Sequence, residues 1–206
     1  MQVYTTETEQ VNAIKRFFFT NGKYLAVGLV LGIGALVGWR YWLTHQTNQL
    51  HNTAAVFEGL NNSLASGSKE GVAAVEKFAN ETDNVYGVMA DLELAKQAVA
   101  QNNLAQAEKN LLTASSKAKD ENMQTLSNLR LARVQLAEDK TDAALKTLEL
   151  VKGKGWQVMV EDIRGDILAK KGDIAGARAA YSTGLGLDGP QVIKNLMKIK
   201  LNNLSN

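Results

Sequence analysis

The stretch Asp142-Ala143-Ala144-Leu145-Lys146-Thr147-Leu148 decides the fold, because its two anchors, Ala144 and Leu148, return elsewhere in the chain at a regular interval. Ala107 and Leu111 stand 37 residues earlier, in Leu104-Ala105-Gln106-Ala107 leading to Leu111, and Ala177 and Tyr181 stand 33 residues later, in Ile174-Ala175-Gly176-Ala177 leading to Tyr181. Ala74 and Phe78 extend the register back by another 33. Twelve residues ahead of the three later anchor alanines lies another small residue, Ala95, Ala132 or Gly165, each preceded by a run of apolar residues three and four apart. That spacing is helical, and paired small residues let two helix axes approach closely.

A period near 34, with small residues at the eighth, twentieth and twenty-seventh positions and a large apolar one at the twenty-fourth, is the tetratricopeptide signature. Ala114 and Gly184 match the twenty-seventh position. Asn102-Asn103, Asp139-Lys140-Thr141 and Gly172-Asp173 supply the turns between paired helices, and Gly189-Pro190 closes the last pair. Four helical hairpins are predicted, over 53–81, 85–118, 122–151 and 156–186. A final helix from Gln191 to Leu204 carries an apolar stripe suited to capping the array. The residues expected to pack the hairpins are Ala74, Phe78, Ala95, Ala107, Leu111, Ala132, Ala144, Leu148, Gly165, Ala177 and Tyr181.

The N-terminal part is of another kind. Tyr24 to Leu43 is apolar apart from Arg40. At about 1.5 Å per residue such a stretch crosses the hydrocarbon core of a bilayer as one helix. Tyr24, Trp39, Tyr41 and Trp42 place aromatics at both interfaces, and Arg40 reaches the headgroups from one end. No small-residue cleavage site follows the apolar run, so an uncleaved signal anchor is expected. Lys15, Arg16 and Lys23 precede the span, whereas after Arg40 the next basic residue is Lys69. The positive-inside rule then puts the N-terminus in the cytoplasm. In a bacterium the larger part lies in the periplasm. Gly28, Gly32 and Ala35 share one face of the span, and Gly34 with Gly38 forms a second small pair on another. Two explanations stay open for them: close packing against another membrane helix, or the ordinary abundance of glycine in such spans. Ahead of the span, Val11, Ile14, Phe17 and Phe18 fall at helical spacing, with Asn21-Gly22 as an expected helix end. The predicted organisation is a tail with a short amphipathic helix over 1–23, a transmembrane helix over 24–43 and a tetratricopeptide-like domain over 44–206, all-α throughout.

Composition narrows the function classes. The 206 residues include no Cys and a single Pro, with a net charge of +2. The absence of Cys removes disulfides, thiolate metal sites and cysteine nucleophiles. Setting aside Lys15, Arg16, Lys23, Arg40, Glu7 and Glu9 leaves nineteen basic and nineteen acidic residues after Leu43, so the net charge belongs to the membrane segment. No nucleic-acid partner is expected of a neutral domain. His45 and His51, six residues apart, point in different directions on a helix and make no metal site. Gly184-Leu185-Gly186-Leu187-Asp188-Gly189 satisfies a dinucleotide fingerprint literally, but follows a helix and leads into Pro190. Lys152-Gly153-Lys154-Gly155-Trp156 is expected to be a mobile linker with Trp156 packing on the next hairpin. Neither catalytic nor cofactor-binding residues are expected. An array of helical hairpins offers an extended surface for peptides or protein segments instead.

Several stretches resemble a known family over nearly the whole length: Ala13-Ile14-Lys15-Arg16-Phe17-Phe18, Gly38-Trp39-Arg40-Tyr41-Trp42, Asn128-Leu129-Arg130-Leu131-Ala132-Arg133-Val134-Gln135, the stretch from Asp142 to Leu148, and Asn202-Asn203-Leu204-Ser205. They are similar to the YfgM-like ancillary subunits of the bacterial Sec translocon. The region from Gln46 to Ser68 departs most from that pattern. The resemblance implies a single-pass inner-membrane protein that associates with the SecYEG translocon. It also implies pairing with a membrane-anchored periplasmic chaperone of the peptidyl-prolyl isomerase type, and help in passing newly exported proteins to other periplasmic chaperones. A second role implied for the family is regulation of cytoplasmic stress signalling through the N-terminal tail.

Overall fold

A computed structural model describes residues 7–65 and 68–204, and every regular element among them is helical. Residues 1–6 of the expected tail and Ser205 and Asn206 at the other end lie outside the described residues. The helices are α1 (Glu7–Ala65), α2 (Lys69–Glu81), α3 (Val85–Ala100), α4 (Leu104–Lys117), α5 (Glu121–Ala137), α6 (Thr141–Glu149), α7 (Gln157–Lys170), α8 (Ile174–Gly186) and α9 (Gln191–Asn203). The chain divides into two compact units, 1–53 and 54–206.

The first unit is helical throughout its described part. Instead of stopping at Asn21-Gly22, α1 runs through it, and the Asn21 amide donates to the Phe17 carbonyl at 3.2 Å. The short amphipathic helix is therefore the first part of a longer one. One glycine costs a helix only about 1 kcal/mol, which a long apolar helix absorbs. Nor does α1 end at Leu43. The hydroxyls of Thr44, Thr47 and Thr53 donate to the carbonyls of Arg40, Leu43 and Gln49, one turn back in each case.

In the second unit the hairpins follow the repeat. The α3–α4, α5–α6 and α7–α8 turns are built alike: Asn102 (φ 57°), Asp139 (φ 62°) and Gly172 (φ 81°) each take the left-handed conformation that closes a helix. The next residue then donates back over the end of the helix, Asn103 to the Ala98 carbonyl, Lys140 to Gln135 and Asp173 to Leu168, at 2.8, 2.8 and 2.9 Å. Asn103 and Asp173 also cap the second helix, accepting from the backbone of Gln106 and Gly176. The core between the helices is a chain of apolar clusters. Phe57 and Leu64 of α1 meet Val75, Ala79, Ala90 and Leu94. Val88, Ala95, Ala107 and Leu111 join Leu131 and Val134 of the next hairpin. Leu129, Ala132, Ala144 and Leu148 join Val160, Ile163 and Ile167. Val158, Ala177 and Tyr181 join Met197 of α9. Residues Lys152 to Trp156 are not a loose linker: Lys154–Trp156 forms a 3₁₀ turn, and the Trp156 indole packs on the third hairpin's core while donating to Asn122 at 3.3 Å.

Candidate partner-binding surface

The first helices of successive hairpins touch one another, α3 on α5, α5 on α7 and α7 on α9, whereas no comparable contact joins α4 to α6 or α6 to α8. An array in which one set of helices is drawn together and the other splayed curves toward the contacting set. The inner side thus belongs to α3, α5, α7 and α9. Met89, Lys96 and Val99 of α3 and Arg130 and Arg133 of α5 are exposed.

A polar network ties this side together. Asp162 of α7, buried to 3% side-chain exposure, receives the Lys200 ammonium of α9 at 2.7 Å and lies 3.6 Å from the Arg133 guanidinium of α5. Lys200 also reaches Asp166 at 2.7 Å, and Asp166 accepts from the Tyr181 hydroxyl at the same distance. Burial, and next the Asp166 carboxylate, push the Tyr181 phenol far above its ordinary range, so Tyr181 stays a donor. Two further networks sit between earlier hairpins. Lys117 donates to Asp91 and to the Ala79 carbonyl, each at 2.9 Å. Burial raises the Asp91 carboxyl above its usual value even with Lys117 beside it. Glu108 accepts from Lys140 and Gln135, and these hydrogen bonds, Lys140's first, hold its carboxyl low.

Sequence reasoning missed these charged groups. The signal was present: Asp91 and Asp162 interrupt apolar runs at positions that face inward, and Asp166 follows Asp162 by one helical turn.

The small residues singled out from the repeat lie in the hairpin seams. Ala95, Ala107, Ala132, Ala144 and Ala177 are buried, as are Leu111, Leu148 and Tyr181. Gly165 answers to Tyr181: a Cβ there would fall 2.2 Å from the ring. The third seam thus pairs the smallest residue with the largest where the other two pair Ala with Leu. The first hairpin is offset. Its buried stripe is Gly71, Val75 and Ala79, leaving Ala74 half-buried, while the Phe78 ring lies tilted against that of Phe57, 6.2 Å away. The shift arises because α2 pairs with a continuation of α1 and not with a helix of repeat length.

A Cβ on Gly28, Gly32, Gly34 or Gly38 would have no neighbour within 4 Å, and Ala35 is exposed. The α1 helix is long and apolar enough to cross a membrane. Gly184, the first residue of the literal dinucleotide fingerprint, lies inside α8, and a Cβ there would meet the Met197 sulfur at 2.8 Å. A crevice of about 110 Å³ between Asn84, Val88, Lys117 and Met123 is well below the several hundred Å³ of a small-molecule site.

These features define a tetratricopeptide-like helical-repeat protein with an apolar N-terminal helix, and residues 15–206 match the tetratricopeptide repeat-like domain family. Over the full length of both chains, the protein is 45% identical to the ancillary SecYEG translocon subunit of Escherichia coli (strain K12). It is 35% identical to the subunit of that name from Haemophilus influenzae, covering 98% of this chain and 99% of the relative. With the one from Aggregatibacter actinomycetemcomitans it shares 34% identity over the same fractions. The chain belongs to the YfgM-like family of ancillary SecYEG translocon subunits. No solved structure matches it.

Proposed function

We propose that this protein is a non-catalytic adaptor, anchored in the bacterial inner membrane by one α1 span, that associates with the SecYEG translocon and passes emerging proteins to periplasmic chaperones. The observation that carries this role is the full-length match to ancillary translocon subunits, joined to an architecture of one exposed apolar helix and one curved helical array. The excess of basic residues before the span supports an N-terminus in the cytoplasm and an array in the periplasm. The faces of Gly28, Gly32 and Ala35, and of Gly34 and Gly38, are the contacts for other membrane helices. The array takes up partners through its inner side, among them a membrane-anchored chaperone of the peptidyl-prolyl isomerase type.

Two measurements on the full chain in its native membrane test the role. In spheroplasts, external protease should degrade the array and leave the tail intact; an array protected in spheroplasts would reverse the topology. Purification in mild detergent should recover the channel subunits and the chaperone, and their absence would remove the translocon role. Deleting the tail ahead of the span should leave export unaffected, whereas a regulator acting through that tail would lose its signalling phenotype.

A further inference from the structure

Helix α9 packs as the first helix of a hairpin, with no second helix beside it among the described residues. Ile193, Met197 and Leu201 of α9, with Leu204 just past its end, pack against Val158, Ala177 and Tyr181, as the first helix of any later hairpin packs on the one before. The opposite face carries Val192, Leu196 and Ile199, at 81%, 46% and 58% exposure. Counted from the start of each helix, Val192, Leu196 and Ile199 stand where Val158, Asp162 and Gly165 stand on α7. On α7 the second helix of the hairpin closes the two ends of that face, with Val158 fully buried beside Ala177 and Tyr181 and Gly165 under the Tyr181 ring, while Asp162 between them is covered by Lys200 of α9 and Arg133 of α5. Nothing among the described residues takes that place on α9. A terminal helix of a repeat array ordinarily turns a polar face outward, and this one turns out an apolar stripe at helical spacing.

Charge selects among the occupants. Helix α9 contains Lys194, Lys198 and Lys200 and no acid. Lys200 is held by Asp162 and Asp166 on one flank of the stripe, and Lys194 by the Leu187 carbonyl. Lys198, on the other flank with Asn195 and Asn202, is exposed and makes no ion pair among the described residues. With no acid on α9, a second copy of the helix offers Lys198 no counter-charge, whereas complementary charge across an interface favours an acidic partner. We infer that the face of Val192, Leu196 and Ile199 docks an amphipathic α-helix of a partner protein, one with acidic residues beside its apolar stripe, which covers α9 in the way α8 covers α7. The occupant lies antiparallel to α9, with small or aromatic residues over Ile199 and a carboxylate near Lys198.

The test uses the full chain in nonionic detergent and a fluorescent synthetic helix of the length of α9, with Ala and Leu in one stripe and Glu on both flanks. The same peptide with Lys in place of Glu is the control. The acidic peptide should bind in the micromolar range and weaken as salt rises. Leu196→Glu should weaken it at least about tenfold by putting a charge into the buried stripe. Lys198→Glu should weaken the acidic peptide severalfold and strengthen the basic one, an exchange that a loss of folding cannot produce. All these side chains are exposed, so both variants should keep the parent's thermal unfolding curve. Equal affinity for the two peptides, or none for either, would overturn the inference. So would a dimer of the full chain that Leu196→Glu converts to monomer, which assigns the face to a second copy. Hydrogen-exchange protection of α9 that appears only in nanodiscs containing phosphatidylglycerol would assign it to lipid and overturn it equally.

Discussion

Glycine in this chain serves two opposite purposes, and the contrast separates the two units. In the array Gly165 and Gly184 are small because another side chain occupies the space, the Tyr181 ring in one case and the Met197 sulfur in the other. In the span Gly28, Gly32, Gly34 and Gly38 face nothing within 4 Å. Inside the array Gly165, Gly184, Asp91 and Asp162 are each matched by a partner within the chain. The span leaves its small faces open, and only another molecule or lipid can use them.

Substitutions that remove one member of an internal match should therefore destabilise the array, while equally drastic changes in the span should not. The largest loss is expected for Lys117→Met, which strands the buried Asp91 carboxylate: about 3 kcal/mol in denaturant unfolding of the full chain at neutral pH. Because burial raises the Asp91 pKa, the penalty of its ionised form is present above that raised value and fades as pH falls through it toward the unfolded value. The gap between variant and parent should narrow on acidification. A gap that widened would mean that Lys117, not Asp91, governs the pair.

Gly165→Ala should cost about 2 kcal/mol, since its methyl group meets a ring fixed by the Asp166 hydrogen bond. Adding Tyr181→Leu recreates the Ala and Leu pairing of the other two seams, and should return most of that loss. Additive losses in the double variant would show that the two residues do not share one space.

A smaller effect, about 1 kcal/mol at neutral pH, is expected for Glu108→Gln. The lowered pKa of Glu108 gives the folded state a contribution that is complete above its ordinary value and lost as pH falls through the lowered one. Parent and variant should converge in acid, which urea titrations at neutral and acidic pH can follow. Last, Gly28→Leu should leave unfolding of the array unchanged within error.

Much of this division is legible in the residues themselves. The spacing of Ala107, Ala144 and Ala177 and of the small residues twelve positions ahead specifies the hairpins, because helix pairs can close only where side chains are short. The turn residues Asn102, Asp139 and Gly172 are readable for a similar reason, as each tolerates the left-handed backbone. The offset of the first hairpin is not readable from the repeat, since α2 packs on the C-terminal part of α1, a helix far longer than the repeat helices. The polar networks escape because Asp162 pairs with Arg133 and Lys200, residues 29 and 38 positions away, distances unrelated to the repeat period. Ion pairs carry no periodicity, and only packed elements bring them together. The open face of α9 is visible as an amphipathic stripe, but the sequence does not reveal which side the array leaves uncovered.

The claim that the open faces of the span serve a partner is tested most directly by site-specific photocrosslinking in native membranes. A crosslinking residue at Gly32, on the face of Gly28 and Ala35, should capture a channel subunit of the translocon, while the same residue at Ile33, on another face, should label mainly lipid. Lipid labelling alone from both positions would contradict the account.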